Sequence, residues 1–129
     1  MHKINLITAP DKINSRSFKF LLIYPSADVT EQLQNQIAEW DNPIDIYMYD
    51  KEYELDWLMD VFNMADCVIW DIDNTDDQAI RDLGSFLVSF PKTYWLTKGD
   101  FIVYNKLSLN KVYNLDFIQK YITGGNIEI

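Results

Sequence analysis

The chain has 129 residues, of which 48% are hydrophobic and 15% aromatic, enough for one domain with a sizeable core and too few for two domains of ordinary size. Residues 1–129 are therefore expected to form a single domain. The formal charge of −9 disfavours nucleic acid as a partner, because most of the surface would repel a phosphate backbone. A small neutral ligand or a protein partner is favoured instead.

The single cysteine, Cys67, lies in an apolar run and indicates a buried thiol in a reducing compartment. Zinc-type spacing is absent, and neither a metal nor a cofactor is expected. No apolar segment approaches the roughly 18–20 residues of a membrane span, and the N-terminus lacks the apolar region of a signal peptide. We therefore expect a cytoplasmic protein without a membrane partner.

Strand and helix patterns alternate along the chain. The N-terminal INLIT is a candidate edge strand, and residues 18–24, FKFLLIY, are apolar at nearly every position, which predicts a strand buried on both faces. A helix is expected to begin near Asp28, with its apolar stripe ending at Trp40. The remaining predicted elements are a strand at 44–49, a helix at 55–62, a strand at 67–70, a helix at 76–90, a strand at 93–97 and a short helix at 115–122.

This alternation predicts a three-layer α/β/α domain with a central, mainly parallel sheet of four to five strands, as in flavodoxin-like folds. Parallel strands need crossover connections, and these place helices on both faces of the sheet. In such sheets ligands bind beyond the carboxyl ends of the strands. The predicted ends lie at residues 24–26, 50–51, 71–77 and 97–98.

Aspartates gather at the end of the predicted strand 67–70. Two interpretations stay open for them: a solvated loop in which Asp76 caps the next helix, or a ligand-facing cluster. Asp82 is in the same way either a surface residue of its helix or a member of a site. The five aspartates that follow this strand are Asp71, Asp73, Asp76, Asp77 and Asp82.

The stretch from residue 65 to residue 117 resembles the nucleoside 2-deoxyribosyltransferase family. An apolar strand after an Ala-Asp pair leads to an acidic loop, a helix containing Asp82-Leu83-Gly84 in place of the family's Glu-Leu-Gly, a further strand, and Tyr104-Asn105-Lys106-Leu107. The resemblance implies that Asp82 is the nucleophile and that Asp76, six residues earlier, handles protons. It also implies that Asn105 reaches the site of a neighbouring subunit, and hence a homo-oligomer.

Cleavage of an N-glycosidic bond develops positive charge on the sugar, which a carboxylate can trap covalently while a second acid assists departure of the base. The predicted function is thus transfer or hydrolysis at the N-glycosidic bond of a nucleoside or related small molecule. The catalytic residues would be Asp82 and Asp76, with Asp73 as an alternative to Asp76. The predicted substrate-binding residues are Tyr24, Ser26, Asp71, Asp73 and Asn105.

Three departures from the family pattern favour an alternative function. Asp82 is one methylene shorter than glutamate, the YPSADV turn lacks the family's glycine, and Leu58 stands where the family has an aspartate. The alternative is a catalytically degenerate binding or interaction module, whose many aromatic side chains would supply a protein interface. A domain that handles a nucleotide second messenger is a third possibility, which the negative charge makes less attractive.

Overall fold

A computed structural model describes residues 4–7, 17–40, 43–50, 54–87, 93–98 and 111–119, and only the backbone in 4–7, 83–87 and 111. None of the helices in these ranges is long and apolar enough to cross a membrane. The strands are β1 (Ile4–Ile7), β2 (Phe18–Ile23), β3 (Ile44–Tyr49), β4 (Cys67–Asp71), β5 (Thr93–Leu96) and β6 (Lys111–Val112). The helices are α1 (Ala27–Gln36), α2 (Leu55–Met64), a 3-10 helix (Ile72–Asn74) and α3 (Asp77–Leu87).

The strands form one sheet in the order β1-β3-β2-β4-β5-β6, and every neighbouring pair is parallel. The predicted α/β fold is therefore confirmed. The N-terminal segment is an edge strand beside β3, and the two-residue strand β6 adds a pair that the sequence pattern did not indicate. A strand of two residues is too short to show a period.

Helix α1 and the predicted C-terminal helix differ from the prediction in ways that their contacts explain. Helix α1 begins after Ser26, whose hydroxyl accepts a hydrogen bond from the Val29 amide at 3.1 Å, so Ser26 and not Asp28 is the cap. The predicted helix 115–122 is present over its described part as a tight turn that passes into two helical residues, with i to i+3 hydrogen bonds from Ile118 to Leu115 and from Gln119 to Asp116. Residues 120–122 lie outside the described residues.

The strands bury both faces because their side chains alternate between two cores. Leu21, Ile23 and Trp70 pack with α2 and Ile80 of α3 on one face, hereafter the α2–α3 face. Phe20, Leu22 and Ile69 alternate with them and pack with α1 and the turn at Leu115 on the other, the α1 face. These two layers of side chains explain why β2 is apolar at nearly every position.

A polar cluster interrupts the core at the amino ends of β2 and β3. Lys19 and Asp45 are register partners in the two strands, and both are buried. The Ser17 hydroxyl donates to the Asp45 carboxylate at 2.5 Å and accepts from the Lys19 ammonium at 3.1 Å. The ammonium also donates to the Ser17 carbonyl at 3.1 Å. Burial of these charges therefore depends on mutual hydrogen bonding.

The connections define a crevice at the carboxyl edge of the sheet. Helix α1 leads from β2 to β3 on one side, whereas α2 returns across β2 to β4 on the other side. Strands β3-β2-β4-β5-β6 thus lie in the flavodoxin-like order. In that order the ligand crevice opens between the strand that comes first along the chain and the strand that comes third. Here that crevice lies between the ends of β2 and β4.

Candidate functional site

The turn that follows β2 has an unusual backbone. Tyr24 has φ 54°, and it is the one non-glycine residue with a positive φ in the described part of the chain. This conformation costs an ordinary side chain about 1–2 kcal/mol, and a following proline further restricts the residue to extended conformations. The Tyr24 amide donates to the Tyr49 carbonyl at 2.8 Å, and the Tyr24 carbonyl accepts from the Asn74 side-chain amide at 2.8 Å.

Asp71 bridges the crevice from the β4 side. Its carboxylate accepts from the Ser26 backbone amide at 3.0 Å, and the side chain is only 4% exposed. Burial raises the pKa of the Asp71 carboxyl, hydrogen bonds from Ser26 and Asn74 oppose this change, and the charge of Asp73 adds to it. Asp71 therefore joins the end of β4 to the beginning of α1.

The next two aspartates of the cluster are also held by hydrogen bonds. Asp73 accepts from the Thr97 hydroxyl at 2.6 Å and from the Lys98 amide at 2.9 Å, which joins the ends of β4 and β5. Asp76 accepts from the Ala79 amide at 2.8 Å and so caps α3. The cluster thus has an architectural role at the edge where the sequence predicted a site.

Asp82, the predicted nucleophile, is exposed on α3, and its carboxylate accepts from the Gln78 side chain at 2.8 Å. Its charge nevertheless reaches the turn after β2. Burial raises the pKa of the Tyr24 phenol, and neighbouring groups raise it further, in decreasing order Tyr49, Asp76, Asp50 and Asp82. The Tyr24 phenol therefore stays protonated near neutral pH, within electrostatic range of three carboxylates.

Two grooves open on the carboxyl edge among the described residues. The first, the Tyr24 groove, has a volume of about 310 Å³ and reaches from the end of β2 to the end of β3. The second, the Tyr113 groove, has a volume of about 220 Å³ and reaches from α1 to the ends of β4, β5 and β6. The Tyr24 groove is lined by Tyr24, Pro25, Ala27, Thr30, Met48, Asp50 and Asn74. The Tyr113 groove is lined by Ser26, Asp28, Val29, Gln32, Asp71, Asp73, Leu96, Lys98, Tyr113 and Asn114.

The predicted site residues are divided between these places. Tyr24 lines the first groove, whereas Ser26, Asp71 and Asp73 line the second. Asp76 and Asp82 are not lining residues of either groove, although both act electrostatically on Tyr24. Asn105 lies outside the described residues.

The predicted site residues include only Tyr24, Ser26, Asp71 and Asp73 of the groove linings, and Asp50, Asn74 and Tyr113 are among the residues that sequence reasoning missed. Asp50 was recognised as a strand end but not as a site residue, and Asn74 lies inside the acidic loop beside the aspartates that drew attention. Both could have been found from their positions directly after strands. Tyr113, which is 60% exposed, follows the strand β6 that had no sequence signal.

No known protein family and no characterised protein matches this sequence significantly. In the described ranges, no three His, Cys, Asp or Glu side chains are placed to hold a metal ion together. The described residues thus form an α/β domain with two grooves at the carboxyl edge of its sheet, beside the switch in strand order. Its function is accordingly inferred from those grooves.

Proposed function

We propose that this protein binds a neutral ligand of nucleoside size in the Tyr24 groove, and that binding rather than bond cleavage is its main activity. The observation that carries the proposal is the position of this groove. It lies at the carboxyl ends of β2 and β3, with Asn74 of the loop after β4 in its wall, and so borders the β2–β4 crevice on the edge where doubly wound sheets bind their ligands. Its volume of about 310 Å³ is at the lower end of the usual range for small-molecule sites.

The chemistry of the groove supports a nucleoside-like ligand. Pro25 and Met48 offer apolar contact to a base, the Asp50 carboxylate can accept hydrogen bonds from sugar hydroxyls, and the Asn74 side chain has both a donor and an acceptor for the polar edge of a base. The ligand is expected to be uncharged, because the chain carries −9 and Asp50 adds a local negative charge.

The placement of Asp76 and Asp82 supports binding over cleavage. Met48, which lines the groove, packs against the core of the α1 face. Asp82 belongs to α3, which packs on the opposite face through Ile80. A ligand that sits against Met48 is therefore on the α1 side of the groove, whereas the predicted nucleophile belongs to a helix on the α3 side.

Isothermal titration calorimetry with a panel of purine and pyrimidine nucleosides tests the binding proposal. We expect one nucleoside class to bind, the corresponding monophosphates to bind more weakly, and Asp50→Ala to weaken binding about tenfold or more, since a hydrogen bond to a charged group contributes about 1.5–3 kcal/mol. Asp60→Ala, a change at an exposed aspartate of α2, is the matched control and should leave the affinity unchanged.

Absence of heat with every nucleoside, or tighter binding of the monophosphates, would overturn the binding proposal. A loss of affinity in Tyr113→Ala but not in Asp50→Ala would instead assign the ligand to the Tyr113 groove.

A second candidate function is transfer or hydrolysis at an N-glycosidic bond. It is favoured by one observation: the charges of Asp76 and Asp82 both raise the pKa of the Tyr24 phenol, so both lie within electrostatic range of the turn after β2. The resemblance to nucleoside 2-deoxyribosyltransferases adds to this support. In this proposal a sugar lies on the α3 side of Tyr24, Asp82 attacks its anomeric carbon, and Asp76 protonates the departing base.

Chromatography of the protein incubated with nucleosides and a free base distinguishes the two candidates. An active enzyme would exchange or hydrolyse the nucleoside, Asp82→Ala would abolish that reaction, and Asp82→Glu would retain or improve it. Within the part of the chain that the structure describes, exposed Asp82 has one hydrogen bond to lose, that with Gln78, worth about 0.2–0.5 kcal/mol, so loss of activity in Asp82→Ala could not be attributed to unfolding. Binding of a nucleoside without exchange or hydrolysis would support the binding function and overturn the second candidate.

Assembly is a further part of the proposal. If Asn105 completes the site of a second subunit, the protein is a homo-oligomer, and light scattering at tens of micromolar will show more than one chain per particle. A monomer at that concentration would remove the shared site and leave the grooves of one chain, with a protein partner as the other candidate for its aromatic surface.

A further inference from the structure

The Tyr24 groove is bordered by the turn after β2, in which Tyr24 has a positive φ. We propose that Asn74 is a positioning residue, whose side-chain amide holds Tyr24 in the left-handed conformation that shapes the groove for its ligand. This inference rests on the proposed ligand-binding function and adds to it the residue that sets the form of the site.

The turn after β2 does not favour the left-handed conformation of Tyr24 by itself. A tyrosine that precedes a proline is restricted to extended backbone, yet Tyr24 has φ 54°. Residues kept in sparsely populated regions persist only where their surroundings force them, and such residues concentrate at ligand sites. The conformation of Tyr24 must therefore be imposed by contacts from outside the turn.

Two hydrogen bonds hold the backbone of Tyr24 from outside the turn. From the β3 side, the Tyr49 carbonyl accepts from the Tyr24 amide at 2.8 Å, which continues the pattern of the strand pair. From the β4 side, the Asn74 side chain donates to the Tyr24 carbonyl at 2.8 Å. Pro25 has no amide hydrogen with which to support the turn, so the direction of the Tyr24 carbonyl depends on the donor that Asn74 supplies.

The turn after β2 forms part of the wall of the proposed ligand groove. Tyr24, Pro25 and Asn74 all line the same groove. Rotation of Tyr24 to an extended conformation would move both its carbonyl and Pro25, and thus one wall of the groove. The ligand-binding form would then be less populated before the ligand arrives, and the apparent affinity would fall in proportion to that population.

The experiment compares Asn74→Ala with Asn63→Ala, a change at an exposed asparagine of α2. In the ligand-free protein we measure the amide-to-Hα coupling and the Cα chemical shift of Tyr24 by NMR. We expect Asn74→Ala to move both toward extended values and to weaken nucleoside binding about fivefold to thirtyfold, the factor that corresponds to the strain of a left-handed residue. Asn63→Ala should change neither.

A second background separates positioning from direct contact with the ligand. Glycine adopts positive φ without a steric penalty, so in Tyr24→Gly the turn no longer needs the Asn74 amide. Addition of Asn74→Ala to Tyr24→Gly should therefore weaken binding much less than the same change does in the natural chain. An equal loss in both backgrounds would show that Asn74 acts only by touching the ligand, and would overturn the positioning role.

The NMR measurement needs no ligand, so the two proposals can fail separately. If Tyr24 keeps its coupling and shift in Asn74→Ala, the positioning role is wrong whatever binds. If Tyr24 changes as expected but the natural protein binds no nucleoside, the turn is held by Asn74 and the ligand class proposed for the groove is wrong.

Discussion

Removal of Asp45 is expected to destabilise the protein strongly, because the buried cluster at the amino ends of β2 and β3 would keep the Lys19 ammonium without its carboxylate. Lys19 is 5% exposed and Asp45 1%, and the Ser17 hydroxyl links them through hydrogen bonds of 3.1 and 2.5 Å. Breaking a buried charge pair from one side costs about 3–5 kcal/mol. The variant Asp45→Leu should therefore lose a large fraction of the total stability, which is about 5–15 kcal/mol for a domain.

Urea denaturation followed by circular dichroism measures this loss. With a slope of about 2 kcal/mol per M, a cost of about 3–5 kcal/mol lowers the midpoint by about 1.5–2.5 M. The double variant Lys19→Met with Asp45→Leu removes both charges, and its stability should return to within about 1 kcal/mol of the natural protein or exceed it. Asp60→Ala, at an exposed position, should change the stability by less than about 0.5 kcal/mol.

Two results would refute the reasoning. A loss below about 1 kcal/mol in Asp45→Leu would mean that the Lys19 charge reaches water without its carboxylate. A double variant no more stable than the single one would mean that Asp45 contributes through packing and not through its charge.

Three further predictions concern other parts of the fold. Burial raises the pKa of Asp71 in the folded state, so the unfolded chain releases this proton first as the pH rises. The stability of the natural protein relative to Asp71→Asn should therefore fall as the pH rises from the unfolded pKa of about 3.9 through the folded pKa. A constant difference in denaturation midpoint across that window would contradict this prediction. Cys67 is fully buried in β4, so a thiol reagent should modify it only at the rate of unfolding, and immediate reaction in native buffer would show that β4 is accessible. Leu33→Ala should cost about 2–5 kcal/mol, measured by urea denaturation, because this side chain is fully buried between α1 and the sheet; a cost below 1 kcal/mol would show that α1 packs loosely.

Local patterns were sufficient to predict five of the six strands that the structure describes, all but the two-residue β6. The apolar runs at 18–24 and 67–70 became β2 and β4, and the alternation at 44–49 became β3, because burial on one or both faces leaves its period in the sequence itself. The need for crossover helices then made a parallel sheet the expected arrangement. The edge that carries a ligand site in such folds could be located for the same reason.

The contacts at that edge depend on pairings between distant segments, which no local period encodes. The sequence showed five neighbouring aspartates, but only the strand order brings Asp71 to the Ser26 amide and Asp73 to Thr97, so that these carboxylates hold loops together. The predicted function of Asp82 and Asp76 depended on the resemblance and remains a prediction.

The sequence by itself determined which segments are buried and hence that the chain forms an α/β domain, because hydrophobic periodicity is a property of each segment alone. Only the tertiary structure decided where the buried Lys19 and Asp45 find their partners and what conformation the turn after β2 takes. Lys19 is compatible with a buried strand because β3 places Asp45 beside it. Tyr24 is left-handed because β3 and the loop after β4 hold its amide and its carbonyl, and both of these contacts join residues at least 25 positions apart in the chain.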